Sequence, residues 1–415
     1  MSDERGADVA APGRPEPPRR LARIGLLTLA ATLAAYLVLS QLIAVVPVSW
    51  VMPLLRNAII QSALLLLGAV RDAMGSWNVV LAVVTAGLAL GALRRSAAGR
   101  RVAGMVAGAA AVGLVLSLTT SAALVFAARD AAGAWIPFAP AVPFSTVGGA
   151  PDETVTYATI DGQPVRADLY LPAPGAAPAP LVVSIHGGAF VGGGRGANAY
   201  TRWLADNGYA VLDVDYRLSD DAIHRWDTAE ADVACALTWA AAHAQQYELD
   251  MRRVATFGDS AGGNLAINVA NKINAGALRP SCGSAADLPR VDAVIALYPA
   301  VDLTASGTET VVGSEAARQY LGGTPEQYPD RYTGTDSAPH ITAKSPPTLL
   351  VQGENDHLVL AEHTATYAAA LDAAGIPHRY VGLPFLDHAF GTTELDTGAQ
   401  ATRLLTRTWL EEYLL

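Results

Sequence analysis

Ser260 lies in Gly258-Asp259-Ser260-Ala261-Gly262-Gly263-Asn264, between a strand-like apolar run (Val254–Phe257) and a helical pattern that opens at Ala261. A serine on a sharp strand-to-helix turn is held out of its sheet, and glycines two residues to either side leave room where a Cβ would clash. The following helix turns its N-terminus toward any negative charge that develops there. A hydroxyl is a poor nucleophile until a base removes its proton. With the nucleophile on such a turn, an acid and then a histidine are expected later in the chain, on loops after successive strands. Among eight histidines, His388 follows the last strand-like run, which ends at Leu383. Asp356, in Gly353-Glu354-Asn355-Asp356-His357-Leu358, follows the run before it (Thr348–Gln352) and is preferred to Glu354. Its carboxylate would hold the imidazole tautomer and stabilise the imidazolium. Asp387 adjoins His388, so its side chain should point away and serve structure. His340, His357, His363 and His378 read as surface or structural.

Acyl transfer at a serine passes through a tetrahedral oxyanion, which preorganised N–H donors must meet. His186-Gly187-Gly188-Ala189-Phe190 directly follows another strand-like run, Leu181–Ile185. The amides of Gly187 and Gly188 are expected to form the oxyanion hole, with that of Ala261 as third donor. His186 should brace this loop. No His or Cys pair has metal-ligand spacing with a convincing partner, so no metal or cofactor is expected.

These residues need a sheet to stand on. A hairpin (Thr154–Thr159 and Val165–Leu171, joined through Asp161-Gly162) is followed by strands near Leu181–Ile185, Ala210–Asp215, Val254–Phe257, Ala293–Tyr298, Thr348–Gln352 and Arg379–Leu383. Helical patterns alternate with them near Ala197–Asn207, Trp226–Gln246, Ala261–Ile273, Ala361–Ala374 and Thr397–Tyr413. Such alternation predicts an α/β fold with a mostly parallel sheet covered on both faces. Residues 303–343 break the rhythm and are expected to form a lid, with Tyr298, Tyr320, Tyr328 and Tyr332 each either lining it, packed in the core or placed at the surface.

The chain's two ends differ in kind. Up to Asp130 there are twelve Arg, no Lys and six acidic residues, a net charge of +6, whereas the whole chain is −10. The acidic remainder argues against a nucleic-acid partner. Residues 1–20 read as a disordered cytoplasmic tail. Residues 21–130 read as a transmembrane region, with spans near 24–46, 77–93 and 102–128. Between the last two lie Arg94, Arg95, Arg100 and Arg101, a cluster that prefers the cytoplasmic side, as do Arg19, Arg20 and Arg23. The stretch 51–72 carries Asn57, Gln61, Gly68, Arg71 and Asp72 on one helical stripe, which suits an interfacial helix or one packed on the other spans. Three spans deliver a catalytic domain at 145–415 to the extracytoplasmic face of the cell membrane. There Cys235 and Cys282 could bridge, although two buried thiols are the preferred reading.

His186-Gly187-Gly188-Ala189-Phe190, Asp215-Tyr216-Arg217-Leu218, Asp232 and the Ser260 segment together resemble the hormone-sensitive-lipase-like esterases of the α/β-hydrolase superfamily, over residues 150–415 or so. The resemblance implies an α/β-hydrolase fold, and structural roles for Asp215, Tyr216 and Arg217 beneath the oxyanion loop. Ala189 departs from it, standing where a third glycine is common. The N-terminal helical cap of that family has no evident counterpart. The expected function is that of a membrane-anchored carboxylesterase or lipase-like enzyme cleaving small-molecule or lipid esters through an acyl-enzyme. Amide or formamide hydrolysis on the same triad is the alternative.

Overall fold

The computed structural model describes residues 18–94, 100–136, 149–175, 178–283, 288–391, 393 and 396–415. Residues 1–17 of the expected tail, and the chain around the expected boundary at 145, lie outside the described residues.

The apolar N-terminal runs form α1 (Pro18–Val45), a short α2 (Val48–Val51), α3 (Ala58–Met74), α4 (Trp77–Arg94) and α5 (Arg100–Ala132). Pro18 to Arg20, read as tail, open α1 instead, since Pro suits the first turn of a helix. The Asn57 side chain caps α3 by accepting from the Ile60 amide, and Gly75, at φ +47°, ends it. α1 and α5 are each long and apolar enough to cross a membrane, whereas α3 and α4 reach that length only as a pair bent by 94°. α1, α4 and α5 pack through small residues, among them Ala30, Ala34, Ala89 and Ala110. Lacking bulky side chains there, the helices can approach closely.

The remainder continues β1 (Glu153–Ile160), β2 (Gln163–Tyr170), β3 (Ala179–Ile185), α6 (Thr201–Asp206), β4 (Ala210–Val214), α7 (Ala229–Ala242), β5 (Leu249–Asp259) and α8 (Ala261–Ala275). Then follow β6 (Ala293–Leu297), α9 (Leu303–Glu309), α10 (Val311–Leu321), α11 (Pro329–Thr335), β7 (Thr348–Gly353), α12 (Ala361–Ala373), β8 (His378–Leu383) and α13 (Thr397–Tyr413). The strands make one sheet in the order β1-β2-β4-β3-β5-β6-β7-β8. The β1–β2 and β2–β4 pairs are antiparallel and the rest parallel.

Alternation along the strands divides the core between the two faces. Leu181, Val183 and Ile185 join Leu237, Leu265 and Leu371 on one face. Val182, Phe257 and Ile295 join Leu405 and Trp409 on the other, and there Leu124 and Ala128 of α5 enter the same cluster. The N-terminal helices are thus continuous with the sheet's own core. Several boundaries differ from expectation: α6 opens at Thr201 and α7 at Ala229, later than the expected Ala197 and Trp226. α7 stops at Ala242, because the chain turns through Glu248 (φ +54°) into β5. β5 begins at Leu249, since Leu249 and Asp250 pair with Ala179 and Pro180 before a register shift. Cys235 and Cys282, expected as free thiols, are joined in a disulfide with 5.9 Å between their Cα atoms.

Candidate active site

β5 ends at Asp259 and α8 begins at Ala261, leaving Ser260 on the turn at φ +53° and ψ −118°. A side chain in that region costs about 1–3 kcal/mol and persists only where its surroundings over-determine it. Here the Ser260 amide donates to the Leu297 carbonyl at 2.9 Å, and its carbonyl accepts from the amides of Asn264 (3.1 Å) and Ala300 (3.2 Å). A Cβ on Gly258 would overlap the Gly262 carbonyl, and one on Gly262 would overlap that of Ile185. Only glycines let this turn close.

The loops after β7 and β8 bring the other two candidates to the serine. His388 Nε2 lies 3.0 Å from Ser260 Oγ, and its Nδ1 lies 2.8 Å from Asp356 Oδ2. Asp356 is fully buried. Its Oδ1 accepts from the amides of Leu358 and Val359, both at 2.8 Å, and its Oδ2 from Gln352 Nε2 at 3.0 Å. Held this way, the carboxylate takes the proton on Nδ1 as a hydrogen bond and leaves Nε2 free to accept from the hydroxyl. Glu354, the competing acid, is exposed. Burial works against the imidazolium of His388, yet the negative charge and hydrogen bond of Asp356, helped by Asp387 and Asp259, hold its pKa above the ordinary value.

Gly188 (φ +114°), Ala189 (φ +57°) and Phe190 (φ +65°) bend the loop after β3 over the serine turn. At Ala189 a methyl occupies a conformation that glycine enters freely. The Gly187 amide, expected as an oxyanion donor, instead donates to Asp259 Oδ1 at 3.1 Å. An amide already committed to a carboxylate is not free to meet a second anion, which leaves Gly188 and Ala261. His186 braces the loop as expected: its Nδ1 is 2.7 Å from the Gly187 carbonyl, and its ring stacks on Tyr216 at 4.4 Å. Tyr216 Oη also donates to the His186 carbonyl at 3.1 Å. Arg217 binds Asp232 through two bonds of 2.8 Å, and Arg195 pairs with Asp215.

Of the four lid tyrosines, Tyr298 packs edge-on to His388 at 4.8 Å and Tyr320 stacks on Phe190 at 3.8 Å. Tyr332 is buried and Tyr328 is exposed. A cavity of about 520 Å³ lies beside the oxyanion loop, walled by Ala189, Val191, Val311, Val312, Tyr332 and, from α3, Ala58. α3 and α10 therefore both stand near the loop after β3. Glu309, Glu362 and His363 form the one group of metal-ligating side chains close enough to share an ion among the described residues. His363 Nε2 is bonded to Glu309 Oε2 at 2.7 Å, and none of the three touches the serine site.

A second set of polar contacts was not foreseen. Asp387 accepts from the amides of His357 (3.0 Å) and His388 (2.7 Å), and meets His357 Nδ1 at 2.8 Å. The polar stripe of α3 packs on these same loops, with Gln61, Gly68, Arg71 and Asp72 all buried. The stripe is visible in the sequence; its partner, some 300 residues away, is not.

Comparison with known proteins agrees with this architecture. A family model described as BD-FAE matches residues 167–371, a little under half of the chain. Esterase LipC of Mycobacterium tuberculosis is 28% identical over 218 residues, covering 51% of this chain and 53% of that protein. The probable carboxylic ester hydrolase LipM of the same organism is 29% identical over 217 residues, covering 51% and 49%. The chain thus spans about half the length of these curated relatives. The propionate-bound structure of a thermophilic esterase from Thermogutta terrifontis, Est2, superposes with a TM-score of 0.53 at 23% identity, covering 63% of this chain and 93% of that one. Sheet order, serine turn and structural likeness together identify the portion from β1 to α13 as an α/β-hydrolase fold.

Proposed function

We propose that this chain is a membrane-anchored serine hydrolase that cleaves carboxylic esters through an acyl-enzyme. The observation that carries the reading is the unbroken line from Ser260 Oγ through His388 to Asp356, at 3.0 and 2.8 Å. His388 Nε2 takes the hydroxyl proton as Ser260 Oγ attacks the ester carbonyl carbon. The oxygen that becomes negative is met by the amides of Gly188 and Ala261. When the tetrahedral intermediate collapses, His388 hands its proton to the departing alcohol oxygen, leaving the acyl group on Ser260. A water then loses a proton to His388 and attacks the acyl carbon; collapse returns that proton to Ser260 and releases the acid. The names of the relatives favour esters over amides.

Anchoring is supported by apolar side chains left exposed along α1 (Leu29, Leu39), α4 (Val83, Leu90) and α5 (Met105, Val115). Contacts with the hydrolase portion include the end of α1 (Ile43), the turn between α3 and α4 (Gly75) and the end of α5 (Leu124, Ala128). The arginine-rich ends of these helices lie away from it in the chain. That arrangement favours three crossings, by α1, by α5 and by the bent α3–α4 pair counted as one, with the hydrolase portion extracytoplasmic. The disulfide fits an oxidising compartment.

The decisive test is Ser260→Ala. Loss of the single oxygen should lower ester turnover by about 10⁴-fold or more, with the fold intact by thermal unfolding. Retention of a tenth of the activity would refute the mechanism.

A further inference from the structure

We propose that α3 is a positioning strap for the proposed catalytic loops, so that Arg71, Asp72 and Gln61 set the geometry of His388 and Asp356 without touching substrate. This rests on the serine-hydrolase reading above.

The loop that carries His388 runs from Pro384 to Gly391 without regular structure, and Phe385 (φ +67°) and Ala389 (φ +64°) depart from ordinary backbone. Such a segment needs partners for its main-chain groups from elsewhere. α3 supplies them. Arg71 Nη2 donates to the Phe385 carbonyl at 2.6 Å, and Asp72 Oδ2 accepts from the Asp387 amide at 2.8 Å. Asp387 then organises both loops, because its carboxylate accepts from the amides of His388 and His357. One continuous path of hydrogen bonds therefore leads from α3 to the backbone of the proposed base.

The acid loop is held from the same helix. Gln61 Nε2 donates to the His357 carbonyl at 2.9 Å, while its Oε1 accepts from the Val312 amide at 2.9 Å. A single side chain thus links the Asp356 loop to lid helix α10. Asn355, next to Asp356, donates to the Ile43 carbonyl at the end of α1 at 2.6 Å. Gly68 sits between the two anchor points, and a Cβ there would overlap the Asp387 carboxylate. The helix approaches the loop as closely as backbone allows.

Arg71 and Asp72 pair with each other at 2.7 Å, each side chain only 4% exposed. A buried charge pair is costly to hold and is no proof of stabilisation, but it is directional and destabilising to break. Displacing a catalytic group by about 1 Å can lower turnover about 10²-fold. A helix that merely glued the N-terminal region to the domain would not need to grip the two loops carrying the acid and the histidine.

The test uses the full chain in detergent, with a soluble p-nitrophenyl ester as substrate and a fluorophosphonate to titrate Ser260. Asp72→Ala should lower kcat per titrated site at least tenfold, with KM changed less than threefold and fluorophosphonate labelling slowed in parallel. Gly68→Ala keeps every hydrogen-bonding group and favours the helix itself; it should show the same split, and it decides the matter should Asp72→Ala fail to fold. Leu66→Ala, on the exposed face of α3, should match the parent. A kcat per site within twofold of the parent in folded Asp72→Ala, or in Gly68→Ala, would overturn the strap. Ser260→Ala is run alongside: should it turn over ester, the reading of the site fails rather than the strap.

Discussion

His388 is subject to opposed influences, and their balance can be measured. Burial favours its neutral form, while Asp356, Asp387 and Asp259 favour the charged one, and the pKa ends above the ordinary histidine value. Only the neutral imidazole can accept the Ser260 proton. Activity should therefore rise with pH through that raised pKa and fall away below it. Asp356→Asn removes the largest raising influence, so the acid limb of the kcat/KM profile should move to lower pH as the rate itself drops by about 10⁴-fold. A limb that stays in place in the variant would mean that some other group titrates. At the same scale, the three proposed catalytic residues could be singled out because each lies on a turn or loop that follows a strand-like apolar run. Gly187 was misread for a reason of similar size: nothing in its neighbours announces that Asp259 will claim its amide.

At the scale of elements, the disulfide ties α7 to the segment after α8 across a separation of 47 residues. In the chain-entropy model, closing a loop of that length stabilises the fold by about 4 kcal/mol. Cys235→Ser with Cys282→Ser should lower the unfolding midpoint by several degrees while sparing kcat at low temperature, since the proposed triad comes from other loops. An unchanged midpoint would show that the bridge is not formed in solution. The strands and most helices were readable from period-two and helical patterning. The partner of the polar stripe on α3 was not, because helical periodicity reports that a face is polar and leaves open what it meets.

For the whole molecule, the proposed anchoring makes the side of the hydrolase portion depend on how many helices cross the bilayer. The 94° bend between α3 and α4, together with the burial of the α3 stripe against the proposed catalytic loops, favours three crossings. Protease added to intact cells or spheroplasts should then degrade the C-terminal portion, and a portion protected until the membrane is opened would reverse the topology. The packing of Leu124 and Ala128 beneath the sheet bears on truncation as well. A version beginning near residue 140 would lose α5 from the sheet's core and the strap from the proposed catalytic loops.

The sequence alone determined the class of sheet, the serine turn, the order of the candidate residues and the apolar N-terminal helices. Each of these is written in local terms: glycines where a Cβ cannot fit, apolar residues at strand or helical period, and a reactive side chain at the end of a strand. Tertiary structure alone decided that Asp259 takes the Gly187 amide, that Cys235 meets Cys282, and that Gln61, Arg71 and Asp72 grip loops far along the chain. These are pairings across long stretches of sequence. Their energy depends on distance and desolvation, neither of which exists until the chain has folded.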